Sequence, residues 1–252
     1  MKGSRPLIVG LGGSGNASGA TDRILRRALD AAQAVGAETR YFDGQALDMP
    51  MYSYNGARTE KAATLIAALR RADGIIIASP GYHGTVSGLI KNALDYVEDM
   101  ASDERVYFEG RAVGLIAVAS GWQATGSTLA TLRSITHALR GWPTPMAVTV
   151  NSALPVFGDD GELADAGICD QLDTLASQVV SFARMRALNE LAAAAGAGAP
   201  AGCGTRRLRL RRDRYRDLRA SVPPGGISMP ADASGTDRRE RISAAGNRAM
   251  CC

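Results

Sequence analysis

The strongest constraint on the fold is an apolar run, DGIIIASP at residues 73–80, that shows no polar alternation. A strand with one face in water alternates apolar and polar residues, whereas a strand covered on both faces does not. Four other short apolar runs alternate with segments whose apolar residues recur at helical spacing. Predicted strands therefore cover residues 6–13, 38–44, 73–80, 111–120 and 145–150, and predicted helices cover residues 20–36, 59–71, 87–100, 127–140 and 163–188.

Five strands that alternate with five helices predict an α/β fold, in which helices cover both faces of a parallel sheet. Right-handed crossovers leave few topologies for such a chain. We expect a five-stranded parallel sheet in the order 2-1-3-4-5, the flavodoxin-like three-layer α/β/α arrangement, rather than half of a Rossmann fold. Ligands of open α/β sheets bind beyond the carboxyl ends of the strands, so the loops there are the candidate site.

The charge of the chain is divided unevenly. Residues 1–190 carry 17 basic and 20 acidic residues, whereas residues 191–252 carry 12 and 5. The second segment is rich in Arg, Ala, Gly and Pro and lacks the apolar content to fold alone. We expect one α/β domain with the flavodoxin-like arrangement over residues 1–190 and a disordered, low-complexity basic tail over residues 191–252. An arm that binds nucleic acid or a membrane surface is the alternative for the tail, and we expect neither partner.

The residue types argue against several other classes. The four cysteines lack Cys-x-x-Cys spacing and the chain has two histidines, so we expect no metal site. No apolar run approaches the roughly 18 residues that cross a bilayer. We interpret the N-terminal apolar run as a strand, not a signal peptide, and expect a cytoplasmic protein. No Ser-His-Asp or paired-carboxylate arrangement stands out, so we expect no catalytic side chain.

Glycines and hydroxyl residues crowd the first loop, GLGGSGNASGATDR at residues 10–23. Glycines let backbone N–H groups approach an anion, and the following helix N-terminus adds positive potential. The loop is not a P-loop, because no Gly-Lys-Ser/Thr follows. We expect it to bind a monophosphate, and the alternative is a mobile loop without a ligand. The candidate phosphate-binding residues are Ser14, Asn16, Ser18, Gly19, Ala20 and Thr21.

The loop after the third strand carries the most specific motif, Ser79-Pro80-Gly81-Tyr82-His83-Gly84, and the helix start SGLIKNALD follows at residues 87–95. This spacing resembles the NAD(P)H-dependent FMN reductase family of flavodoxin-like proteins, whose pattern is Ser-Pro-Glu-Tyr-Asn-Gly before Gly-x-x-Lys-Asn-Ala-Leu-Asp. The resemblance covers about residues 5–188. It implies that backbone groups from Pro80 to Gly84 face the isoalloxazine ring of FMN, with Tyr82 beside the ring.

Several positions depart from the family pattern. Gly81 and His83 stand where Glu and Asn are common, so we expect backbone rather than side-chain contacts there. The first loop aligns with the family's Gly-Ser-x-Arg-x-x-Ser-x-Asn phosphate loop, and Asn16 stands at the Arg. A missing Arg removes a charge-assisted contact to the phosphate, so we expect weaker FMN binding than in Arg-bearing relatives.

The loop after the fourth strand, ASGWQATGSTLATLR at residues 119–133, also resembles its counterpart in the family. The resemblance implies that this loop passes near the flavin, and its candidate residues are Ser120, Gly121, Trp122 and Gln123. Trp122 either stacks on the ring or packs on the protein surface, and the sequence leaves both open. Lys91, Asn92 and Asp95 are expected to be structural, tying the helix to the neighbouring loop.

The resemblance implies an FMN-dependent NAD(P)H oxidoreductase, with NADPH or NADH as co-substrate and a small electron acceptor such as a flavin or a quinone. A flavodoxin-like electron carrier without enzymatic activity is one alternative. A scaffold that binds no FMN is another, because the phosphate loop lacks the family's Arg. A domain charge of −3 argues against the electron carrier, because flavodoxins dock through strongly acidic surfaces. The resemblance also implies a homodimer or homotetramer, in which residues 49–58 border the pocket of a neighbouring subunit.

Overall fold

The computed structural model describes residues 5–16 and 18–196, so the predicted tail from residue 197 onwards lies outside the described residues. The strands are β1 (Leu7–Gly12), β2 (Glu38–Phe42), β3 (Gly74–Tyr82), β4 (Thr85–Val86), β5 (Ala112–Ala119), β6 (Trp142–Pro143) and β7 (Val148–Asn151). The α-helices are α1 (Ala20–Ala34), α2 (Gly44–Leu47), α3 (Glu60–Arg71), α4 (Gly88–Asp95), α5 (Trp122–Ala138) and α6 (Ala166–Gly196). A 3₁₀ helix continues α4 over Tyr96–Met100.

The main strands pair in parallel in the order β2-β1-β3-β5. Two short strands share the far edge of β5, where β6 pairs with its first residues and β7 with its last. Together they occupy the place of the predicted fifth strand, and Pro145 lies in the gap between them because it has no N–H to donate. The predicted strand order and the flavodoxin-like fold are confirmed, whereas the strand count is higher than predicted.

Helices cover both faces of the sheet, as the unbroken apolar run in β3 predicts. Ile75 and Ile77 lie in the core formed with α3, α4 and α5. Ile76 and Ala78 point the other way, into the core formed with α1 and α6. Successive side chains of a strand alternate between faces, so each residue of this run has an apolar layer to enter.

Two helices are longer than predicted. α5 begins at Trp122 rather than Ser127, so the loop after β5 is shorter than the sequence suggests. α6 continues to Gly196, past the predicted end of the domain at residue 190, because the alanines there are strong helix formers. Residues 191–196, predicted as the start of the tail, are therefore helical, and the boundary of the domain stays a prediction.

A buried arginine fastens the edge of the sheet opposite the candidate site. Arg111, just before β5, is fully buried and donates hydrogen bonds to the carbonyls of Arg70, Ala72 and Tyr107, at 3.0, 2.9 and 2.7 Å. Arg70 and Ala72 end α3, whose last carbonyls have no partner within the helix. Burial, followed by the charge of Arg105, lowers the pKa of Arg111 to about 10, so its guanidinium stays protonated at neutral pH.

Replacing this side chain tests its structural role. Arg111→Met keeps most of the buried volume but leaves three carbonyls without their donor, so we expect the free energy of unfolding to fall by about 3 kcal/mol. Arg71→Met replaces an exposed arginine of α3 and should change the free energy of unfolding by less than about 0.5 kcal/mol. Urea unfolding of both variants measures the difference, and equal effects would contradict this role for Arg111.

Candidate functional site

Three loops meet at the carboxyl edge of the sheet, because β1, β3 and β5 are parallel neighbours. The first loop, residues 13–19, joins β1 to α1. The second is the turn between β3 and β4, and the third is the pair Ser120 and Gly121 between β5 and α5. The structure therefore brings the three predicted groups of site residues to one edge.

Two buried serines join the first loop to the second. Ser87 donates from its hydroxyl to the Gly13 carbonyl at 2.8 Å, and the same hydroxyl accepts from the Ile90 N–H at 3.2 Å. The N–H of Ser87 donates to the Ser79 hydroxyl at 3.0 Å. Ser79 and Ser87 are 0% and 2% exposed, so water does not compete for these bonds. This network holds the β1 loop, the end of β3 and the start of α4 in one arrangement.

The motif predicted as a loop is instead a β-hairpin. Pro80 and Gly81 lie within β3, and Tyr82 pairs with Thr85 of the antiparallel strand β4. The two connecting residues, His83 and Gly84, have φ angles of 51° and 85°. Two positive φ angles in a two-residue connection are typical of a type I′ turn, which matches the twist of the paired strands. The expected loop conformation was wrong at Gly81 and Tyr82, because pairing with β4 extends β3 beyond Pro80.

The close approach of α5 requires glycine at position 81. A Cβ there would lie 2.6 Å from the Thr128 hydroxyl and 3.1 Å from the Ala119 Cβ. The Thr128 hydroxyl also donates to the Thr85 carbonyl, at 3.3 Å, which fixes α5 against the hairpin. Glycine therefore stands where the family commonly has Glu, and its lack of a side chain permits the tight contact between α5 and the hairpin.

The first loop folds back on itself through Asn16. Its side-chain oxygen accepts from the Ser18 N–H at 3.1 Å, and its carbonyl accepts from the Gly19 N–H at 3.0 Å. The Ser14 hydroxyl in turn accepts from the Asn16 N–H at 3.1 Å. The residue at the family's Arg position thus shapes the loop.

The helices differ in how their N-termini are capped. α2, α3 and α4 have side-chain caps from Asp43, Thr59 and Ser87. α1 and α5 begin after Gly19 and Gly121, which supply no side-chain cap. The first N–H groups of an uncapped helix, with the positive end of its dipole, bind anionic or electron-rich groups. Both uncapped N-termini lie at the candidate site.

Charged side chains near the start of α1 are engaged elsewhere. Asp22 is buried, pairs with Arg26 at 2.9 Å and accepts a hydrogen bond from the Tyr41 hydroxyl, so its charge is compensated. Arg23 stacks on the Phe157 ring at 3.7 Å and donates to the Gly161 carbonyl. Arg23 therefore does not take the place of the missing loop arginine.

A cavity of about 340 Å³ lies between the hairpin and the first turns of α5. Its walls combine the predicted site residues Gly84 and Gly121 with three residues of α5, one of which, Gln123, was also a predicted candidate. The three are Gln123, Ala124 and Ser127. The sequence prediction missed Ala124 and Ser127 because it began α5 too late, and the Gly126-Ser127 pair gave a misleading start signal. Trp122 is 60% exposed and lines a separate cavity on the other side of this turn.

Residues 49–58 are anchored by α4 and the 3₁₀ helix. Asn92 donates to the Met49 carbonyl at 3.1 Å and accepts from the Tyr52 N–H at 2.8 Å. The predicted structural role of Asn92 therefore concerns this segment, whereas Lys91 and Asp95 form an exposed ion pair along the helix. Burial, followed by the charge of Asp99, raises the pKa of Tyr52.

The described residues contain neither a membrane-spanning helix nor a cluster of metal ligands. Across residues 5–16 and 18–196, no helix is both long and apolar enough to cross a membrane. Over the same residues, no three side chains of His, Cys, Asp or Glu are grouped to hold a metal ion.

Residues 6–154 match the sequence profile described as NADPH-dependent FMN reductase. The chain belongs to this family. The match covers all three loops of the site, so the predicted resemblance and the predicted flavodoxin-like fold are confirmed. FMN and NAD(P)H, the predicted cofactor and co-substrate, are those of the family's description.

One curated relative is similar to this chain in sequence, and two solved structures are similar to it in fold. The FMN-dependent NADPH-azoreductase of Staphylococcus aureus is 33% identical over 113 residues, 44% of this chain and 56% of the relative. The chain thus spans about half the length of the curated relatives it matches. The flavoenzyme NAD(P)H:(acceptor) oxidoreductase of Paracoccus denitrificans is similar in fold, with a TM-score of 0.59, 16% identity and coverage of 73% and 99% of the two chains. An oxidoreductase from Corynebacterium diphtheriae has a TM-score of 0.57, at 18% identity, over 72% and 98%.

The residues present fit the FMN of this family. The uncapped start of α1 follows a loop rich in Gly and Ser, which suits a phosphate. The cavity beside Gly84 and Gly121 suits a ring, since a Cβ at either glycine would meet nothing within 4 Å. The backbone at these glycines is held in place by the sheet and leaves the cavity side open, so a flat group can lie against it.

The turn of the hairpin provides a test of this geometry. Gly84→Ala places a side chain at a φ of 85° and should lower the free energy of unfolding by about 1 kcal/mol. Gly88→Ala, at a helical position with equally open surroundings, should leave it unchanged or slightly higher. Chemical unfolding of the two variants measures the contrast. A Gly84→Ala variant as stable as Gly88→Ala would contradict the turn geometry.

Proposed function

We propose that this protein is an FMN-dependent NAD(P)H oxidoreductase that passes a hydride from a nicotinamide, by way of bound flavin, to a small acceptor. The observation that supports this proposal most strongly is that the three loops meet at the carboxyl edge of the sheet. The family match supports it as well. A flavin oxidoreductase needs a place for a flat ring next to an anion site. The cavity beside Gly84 and Gly121 and the uncapped start of α1 are the features at this edge that support the proposal.

The phosphate of FMN is proposed to lie at the start of α1. The uncapped N-terminus offers backbone N–H groups, and the hydroxyls of Ser14, Ser18 and Thr21 add donors. Ala20 contributes through its backbone N–H. Gly19, whose N–H donates to the Asn16 carbonyl, contributes by letting the backbone come close to the phosphate. Asn16 holds the loop closed through its bond to the Ser18 N–H, so its role is to preorganise the site.

The ring of FMN is proposed to lie against the hairpin and the start of α5. Backbone groups do most of the binding there, and the Tyr82 side chain, 54% exposed, flanks the ring. The residues proposed to contact the ring are Pro80, Gly81, Tyr82, His83, Gly84, Ser120 and Gly121. Trp122 is proposed to contribute there through its backbone alone, because its side chain lines the separate cavity on the other side of the turn.

The protein's own contribution is to bind, orient and polarise. When bound, FMN supplies the redox chemistry. The positive end of the α5 dipole faces the cavity at Gly121 and favours electron density on a group held there. The rigid Ser79–Ser87 network keeps the hairpin in place, so little backbone order has to be gained on binding.

Exposed apolar side chains on residues 49–58 support a proposal about the assembly of the protein. Met51 and Tyr54 are 78% and 69% exposed on residues 49–58, and such apolar side chains suit contact with a second copy of the chain. We therefore propose a cytoplasmic homo-oligomer whose flavin domain is residues 1–190, followed by a separate extension. Flavins, quinones and, from the name of the Staphylococcus aureus relatives, azo compounds are the acceptors to test.

The proposal is tested on the purified full-length protein. We expect it to bind FMN, with the flavin absorbance bands shifted, and then to oxidise NADPH or NADH once an acceptor is added. FMN binding without oxidation of either nicotinamide would favour the electron carrier. No FMN binding would contradict both functions.

A matched pair of charge changes tests the phosphate position. Ser18→Asp adds a carboxylate to the first loop and should weaken FMN binding by at least about tenfold through repulsion of the phosphate. Binding of riboflavin, which has no phosphate, should change much less. Ser102→Asp adds the same charge at an exposed position away from the three loops, and its FMN affinity should equal the wild type. Equal losses for FMN and riboflavin would contradict the proposed phosphate position.

A further inference from the structure

A second cavity lies beside the candidate flavin site, at the carboxyl end of β7. It has a volume of about 260 Å³ and sits between the first turns of α5 and α6. Sites for drug-sized ligands have roughly 300–1,000 Å³, so this cavity suits one small ring system.

The cavity is built into the same edge of the sheet as the flavin site. The Ser152 N–H donates to the Ala119 carbonyl at 2.9 Å, and the hydroxyls of Ser120 and Ser152 lie 3.4 Å apart. Gly121 lines the first cavity and Trp122 the second, so the first turn of α5 forms a wall of each. The two spaces are neighbours with different linings.

The walls of the second cavity are mainly apolar. Val156 and Ile168 are buried there, whereas Trp122 and Leu154 are 60% and 49% exposed. The indole of Trp122 is a large flat surface that meets water in the absence of a ligand. Flat aromatic groups stack well on such a surface.

One buried polar group has an unused donor in this cavity. Asn151 is 9% exposed, and its side-chain oxygen accepts from the Ala153 N–H at 3.1 Å. Its side-chain N–H₂ has no hydrogen-bond partner among the described residues. This N–H₂ is not among the fully buried unpaired atoms, so solvent reaches it and it can donate to a ligand acceptor in the cavity. Asp165, which caps α6 through the Ile168 N–H, also lines the cavity and disfavours anions there.

We propose that this cavity binds a flat, uncharged aromatic ring that carries a carbonyl oxygen. The ring stacks on Trp122, and the carbonyl accepts from the Asn151 amide. The proposal goes beyond the flavin function and does not depend on it, because the two cavities have separate linings.

A ligand-observed NMR titration tests the proposal. The probe is 2-quinolinone, a neutral bicyclic lactam, added to full-length protein with excess FMN present. We expect binding to one site with a Kd of about 0.1–1 mM, as suits so small a ligand. Binding of the probe only when FMN is left out would place it in the flavin site and contradict the proposal. If the protein binds no FMN, the proposed function fails while the probe titration still gives its own answer.

Variants identify the residues that hold the probe. Asn151→Asp keeps the oxygen that accepts from Ala153 and removes the donor, so we expect at least about fivefold weaker binding. Leu154→Trp fills the cavity from its exposed rim and should abolish binding without a change in the core. Trp142→Phe, at the other exposed tryptophan, should bind as the wild type does. Wild-type affinity in both Asn151→Asp and Leu154→Trp, or no probe binding to the wild type, would overturn the proposal.

Discussion

The candidate site depends on the buried contact between Ser87 and Gly13. The Ser87 hydroxyl both caps α4 and holds the carbonyl of the first loop, and its N–H reaches Ser79 at the end of β3. Each of these groups would be an unsatisfied buried polar atom without the others, so the network holds together or is lost as a unit. The first loop and the hairpin thereby keep a fixed relation before any ligand arrives.

The pattern of helix caps separates structural from functional helix ends. Where α2, α3 and α4 begin, a side chain satisfies a first-turn N–H and stabilises the helix by about 1 kcal/mol. α1 and α5 do without this gain at Gly19 and Gly121. Their N–H groups face the site, where a ligand can supply the missing acceptors. The cost in stability thus coincides with positions that we propose to bind FMN.

Much of this architecture could be predicted from the sequence. The apolar run of β3 required a layer on each face, and the strand order follows from the crossover rules. The Ser-Pro motif and the Gly-rich loop gave the candidate site residues. The hairpin could not be predicted, because the positive φ of His83 follows from pairing between Tyr82 and Thr85, and histidine does not signal such a turn.

Other features depended on contacts that a sequence does not display. The start of α5 at Trp122 lacks a capping side chain, which is the usual signal for a helix start. The tight contact of Gly81 with Thr128 joins residues far apart in the chain. The second cavity likewise combines residues from α5, α6 and the segment between β7 and α6, none of which forms a motif.

Amide hydrogen exchange in the presence and absence of FMN tests the central claim most directly. If FMN binds at the carboxyl edge of the sheet, peptides that contain residues 13–22, 80–87 and 120–125 should exchange more slowly with FMN. Peptides around Arg111, at the opposite edge, should not change. Protection confined to the opposite edge, or no protection in any of the three loops at saturating FMN, would contradict the account.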